Sequence, residues 1–199
     1  MHDHHSTNTL RAYWSAFAIT SGIVVLQFVV RQKADSLTLL GDMIHIFSDA
    51  LVYGGIVYVL LRAHTGVDMR HAKKRMIVLG IASLVLGGVY VAWEGLSRIV
   101  HPIPYPTTVV MLTALVSMVG TTWAHVVLKN VAEGDRDLQY NNFIAHLRSD
   151  IAASAIVFVS ALLQSLFALP TIEGYLSLIL ASYMCFLAHH LWKDSGEHH

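Results

Sequence analysis

The 199-residue chain is 55% hydrophobic and only 13% charged, and its 13 basic and 13 acidic residues cancel when histidine is neutral. Soluble domains carry roughly 25% charged residues, so composition excludes a water-soluble globular protein. The balanced charge leaves no footprint for nucleic acid.

The N-terminus begins Met1-His2-Asp3-His4-His5 and stays polar through Thr9. It lacks the basic-then-apolar form of a signal peptide, so the first apolar span is expected to be retained. Residues 1–11 read as a polar, His-containing tail, either without a role or capturing metal weakly. Six apolar segments follow, at about 12–31, 36–62, 76–99, 107–129, 138–168 and 172–192. Their lengths match a hydrocarbon core of about 30 Å at ~1.5 Å per helical residue. Backbone groups in lipid must be satisfied within the chain, so each segment is predicted to be a helix. Strand-period alternation is absent, which excludes a β-barrel reading. Pro102, Pro104 and Pro106 break the chain between the third and fourth segments, and Pro170 between the fifth and sixth. The expected fold class is an all-α, multi-pass membrane protein, with a six-helix transmembrane domain over 12–192, a short tail at 193–199 and no soluble domain. The single Cys185, in the last apolar run, excludes an intrachain disulfide and is expected to be buried in packing.

Lysine and arginine set the orientation. With the N-terminus cytoplasmic, that side holds Arg11, Arg62, Arg70, Lys73, Lys74, Arg75, Lys129, Arg136 and Lys193; the far side holds Arg31, Lys33 and Arg98. The positive-inside rule then favours both termini in the cytoplasm. The basic 62–75 loop reads mainly as a topology anchor, with contact to anionic lipid as the other reading.

The second segment carries Asp42, His45 and Asp49 on one helical stripe. Three ionisable groups on one face cannot look into lipid and mark a functional position. The fifth segment repeats the spacing with His146 and Asp150, followed by Ile151-Ala152-Ala153-Ser154-Ala155. Histidine and aspartate at i and i+4 stand one turn apart on the same face. Small residues let neighbouring backbones approach closely. Brought face to face, the two helices offer two imidazoles and two carboxylates, a four-ligand set that suits Zn2+ or a neighbour in its series. Asp42 reads as a group behind the ligands or on the ion path. Glu94 and His125, each alone in its segment, read as helix–helix hydrogen-bond partners. Arg148 lies about 200° from His146 around the helix and is expected to point away from the metal.

The stretch from Asp35 to Ala50, including Ser36-Leu37-Thr38-Leu39, Asp42, His45 and Asp49, resembles the second transmembrane helix of the cation diffusion facilitator family. His146-Leu147-Arg148-Ser149-Asp150-Ile151-Ala152-Ala153-Ser154 resembles its fifth helix, and Glu94 with Arg98 and Pro102 the end of its third. The resemblance implies a non-enzymatic divalent-cation transporter. It implies Zn2+/H+ antiport by alternating access, exporting metal from the cytoplasm, in a homodimer within the cell (inner) membrane. It assigns His45, Asp49, His146 and Asp150 as the transport ligands, with Zn2+ favoured and Cd2+, Fe2+, Co2+ or Ni2+ as other cargoes. Where the family usually carries a cytoplasmic C-terminal domain after the sixth helix, none is expected here. The chain also lacks a His-rich loop between the fourth and fifth helices, has Ser149 where glycine is common, and carries Glu173-Gly174 where Asp-Pro is common. Two other readings are a haem-binding electron carrier using His45, His125 and His146, and a metal-binding scaffold or sensor that carries no flux.

Overall fold

The computed structural model describes residues 3–62, 69–132 and 139–196, and within these the side chains apart from 3–8, 69–74, 76–77, 130–132, 139–148 and 194–196. It consists of six helices: α1 (Asp3–Ala34), α2 (Leu37–Arg62), α3 (Met69–Val100), α4 (Thr107–Ala132), α5 (Gln139–Phe167) and α6 (Thr171–Gly196). No strand occurs among the described residues. All six are long and apolar enough to cross a membrane. The six expected segments are the six helices. Four of them extend past the apolar run, since α1 reaches back to Asp3, α3 to Met69, and α4 and α6 run on to Ala132 and Gly196. Hydropathy finds the part of a helix that sits in lipid, and hydrogen bonding carries the helix on into water.

Two connections are tight. Between α1 and α2 stand only Asp35 and Ser36, and Asp35 reverses the chain in the left-handed region (φ 34°) while its N–H still donates to the Arg31 carbonyl at 3.1 Å. Aspartate tolerates that conformation better than most residues. At the end of α5, Ala168 adopts φ 52°, which costs an L-residue roughly 1–2 kcal/mol. Pro170 then blocks helix continuation.

α1, α2, α4 and α5 pack around a shared interior, and α3 lies along α6 as a pair docked onto α2. The α3–α6 seam closes at Gly95 and Gly174, where a Cβ on Gly174 would lie 2.8 Å from the Gly95 carbonyl oxygen. No other residue fits so close a backbone crossing. On α5 the small residues do what the sequence suggests: Ala153, Ser154, Val157 and Ala161 are fully buried. The outward faces carry large apolar side chains such as Phe28, Leu86, Trp93, Val119, Trp123 and Phe186, a surface that belongs in lipid rather than water. Cys185 corrects one expectation. It is exposed rather than buried: α6 turns Ala181, Met184 and Ala188 inward, and Cys185 stands at the edge of the α3 seam with its Sγ beside Gly88.

Candidate metal centre

Polar side chains on α2 and α5 meet in the interior. His45 Nε2 lies 3.0 Å from Asp150 Oδ1, and both side chains are almost wholly excluded from the surface. Asp49, one turn further along α2, joins them: one ligand atom from each of His45, Asp49 and Asp150 falls within 4.8 Å of the other two. In a tetrahedral shell with bonds of ~2.0 Å the donors stand about 3.3 Å apart, so small side-chain adjustments suffice to close three donors on one ion. The helices run antiparallel, since Asp42 pairs with Ser154 and His45 with Asp150. His146 lies on α5 one turn before Asp150, with its side chain, like that of Arg148, outside the described residues.

α4 adds a histidine to this group. His125 Nε2 approaches Asp150 Oδ2 at 3.2 Å, on the oxygen opposite His45. Its Nδ1 faces the Thr121 carbonyl at 2.7 Å, and a carbonyl only accepts, so Nδ1 carries the proton. Expected as a helix–helix hydrogen-bond partner, His125 instead hydrogen-bonds within its own helix and stands at ion-pair distance from a candidate ligand on α5. A signal for it exists in the sequence. Thr113, Ser117, Thr121 and His125 recur every fourth residue, and all four are buried. Each of the three hydroxyls donates to the carbonyl four residues back, which satisfies them inside their own helix.

Asp42, fully buried one turn before His45, belongs to a second network. Its carboxylate accepts from Ser154 Oγ at 3.0 and 3.1 Å and from Gln27 Nε2 at 2.5 Å. The same amide nitrogen donates to Ser117 Oγ at 2.9 Å. Four helices therefore meet at Asp42. Gln27 is a lone amide in the long apolar run of α1, and no motif spacing singles it out in the sequence.

A third polar cluster stands at the end of the bundle where α1 turns into α2. Glu173, at the start of α6, accepts from Ser36 Oγ (2.7 Å), from the Leu37 and Thr38 N–H groups (2.7 and 3.4 Å) and from Arg98 Nη1 (2.9 Å). It thus caps the N-terminus of α2 from another helix, where a negative charge is favoured. Arg98 also donates to the Asp35 carbonyl and carboxylate, and Glu94 meets it at 3.4 Å. Beside this cluster, Tyr105 lies between α3 and α4 within 3.3 Å of Ser160. Burial and the nearby Glu173 charge push its phenol up to about 12.

Residues 13–198 match the family model described as the cation efflux transmembrane domain. The chain is 22% identical over 201 residues to a protein of Bacillus velezensis named cadmium, cobalt and zinc/H(+)-K(+) antiporter, covering 98% of this chain and 64% of that one. It is 21% identical over 200 residues to the Bacillus subtilis protein of the same name, with the same coverage. It is 24% identical over 206 residues to the zinc transporter ZitB of Escherichia coli, covering 98% of this chain and 65% of that one. The chain thus spans somewhat under two thirds of the length of these curated relatives.

Proposed function

The chain belongs to the cation efflux family, as a multi-pass integral membrane protein, and from that premise we propose that it carries a divalent metal cation, foremost Zn2+, across the cell membrane in exchange for protons. The observation that supports this most strongly is the convergence of His45, Asp49 and Asp150 from two antiparallel helices in the bundle interior. In this reading His146, one turn before Asp150 on α5, is the fourth ligand. Relatives named for cadmium, cobalt and zinc fit a donor set of imidazole and carboxylate, which does not insist on one metal.

In the inward-facing form the four ligands are deprotonated and take the ion from the cytoplasm. Rearrangement of the helices opens the same ligands to the far side, where protons compete for them and the ion leaves. Imidazoles, with an unperturbed pKa near 6.5, titrate in the range where that competition is effective. Both termini lie in the cytoplasm, as the lysine and arginine distribution favours. The protein works as a homodimer, and it performs no covalent chemistry. The haem reading loses ground to the geometry: His45 and His125 approach the two oxygens of one carboxylate rather than flanking a porphyrin-sized gap.

Zn2+ uptake into proteoliposomes under an imposed pH gradient tests the proposal. Flux that follows the gradient supports it. Metal binding without flux would support the sensor reading instead, and full transport by Asp49→Ala or Asp150→Ala would refute the site.

A further inference from the structure

Asp42 is three residues from His45 and outside the group of metal-ligand atoms. Its carboxylate is wholly buried, and its hydrogen-bond partners, Ser154 and Gln27, are both neutral. Among the described residues, the titratable groups that reach it are His45 on its own helix and Asp150 on α5. α1 presents Gln27 and α4 presents Ser117. α3 and α6 present the apolar Val91 and Leu180 at the adjoining Gly41. A carboxylate at this depth is expensive to keep charged unless a cation stands nearby.

Gln27 supplies an independent sign. Its Nε2 makes both hydrogen bonds, and its buried Oε1 has no hydrogen-bond partner among the described residues. A carboxylate needs a donor beside it and a carboxylic acid needs an acceptor. A half-turn of the amide exchanges one for the other. The pair can therefore satisfy Asp42 in both protonation states.

We propose that Asp42, read by Gln27 and Ser154, is a binding site for the exchanged proton, separate from the metal ligands. This rests on the metal/proton exchange proposed above. With the metal one turn away, its charge favours the Asp42 carboxylate. As the metal arrives, the O–H bond of the Asp42 acid breaks and the proton passes to water on the open side. As the metal leaves, a proton returns. Metal and proton exclude each other through charge, without sharing an atom. An alkali ion fits less well, since the groups around Asp42 already stand at 2.5–3.1 Å and would have to part to admit it.

Metal-induced infrared difference spectra of the purified protein test this, together with protons released per Zn2+ bound. The wild type should lose a protonated-carboxyl band when Zn2+ binds. Ser154→Ala, which removes a hydrogen bond from that carboxyl and touches no ligand, should shift the band. Asp42→Asn should still bind Zn2+, lack the band and release about one proton fewer per metal. Metal binding with no carboxyl band in the wild type, or an unchanged proton count in a folded Asp42→Asn variant, would overturn the inference and leave the transport reading standing. So would exchange that needs K+ and loses that need in Asp42→Asn. A wild type that binds no divalent metal would overturn both.

Discussion

Two buried clusters of charge share this bundle and treat their carboxylates differently. At the α1–α2 turn, Glu173 is held by a guanidinium, a hydroxyl and two backbone N–H groups at a helix N-terminus. Its charge is matched by groups that cannot leave, since arginine stays protonated. In the bundle interior, Asp150 lies between two imidazoles, groups that, unlike a guanidinium, can be held neutral or protonated. The first arrangement fixes a helix end, whereas the second holds acceptors together on terms that a cation or a proton can change. On the proposed reading, the same residue classes serve as anchor or exchange site according to whether their partners are permanent.

Removing a ligand should separate the two most sharply. Asp49→Ala or Asp150→Ala is expected to lower Zn2+ affinity by more than about 100-fold, beyond what loss of a supporting partner costs, while the thermal unfolding midpoint stays close to that of the wild type. Isothermal titration and a melting curve on one preparation check both halves. Glu173→Ala should do the reverse. It removes the α2 cap and one of Arg98's partners, leaving Asp35 and Glu94 to hold the guanidinium, at a cost of about 3 kcal/mol. The midpoint in detergent should fall by roughly 10 °C, while the protein that remains folded binds Zn2+ as before.

The exchange cluster was the more legible of the two. Asp42, His45, Asp49 and Asp150 stand at helical spacings inside apolar runs, where each polar group is conspicuous; His146 shares that spacing, with its side chain outside the described residues. The six helices were legible for the same reason. The clasp was not, because Glu173 and Arg98 sit at helix ends, where charge is ordinary, and their pairing depends on α3 lying along α6. Gln27 and the four-residue stripe of α4 carried a weaker signal, since a hydroxyl bonded to its own helix looks the same in sequence as one that supports a site. His125 belonged to that stripe, and only the fold brings it to Asp150.

Smaller effects refine the contrast. His125→Gln keeps a polar group toward Asp150 but loses the imidazole. A fall of about tenfold in Zn2+ affinity is expected, the scale of a partner that orients a ligand, read by competition with a chromophoric chelator. Loss as large as that of Asp150→Ala would instead make His125 a ligand. At the clasp, Tyr105 should resist ionisation until about pH 12, seen as a delayed rise in phenolate absorbance. The sign follows from linkage. A phenol raised in the folded state contributes stability that is complete below the ordinary tyrosine value and is lost as pH rises through the folded one. The loss should appear between about pH 10 and 12.

On this reading α2 and α5 share one intramembrane ion site. Zinc anomalous diffraction from crystals of the intact protein grown with Zn2+ tests it most directly. The expected result is a single strong peak bounded by His45, Asp49, His146 and Asp150, with donor atoms at about 2.0–2.2 Å. A peak confined to other histidines, with none between α2 and α5, would contradict it.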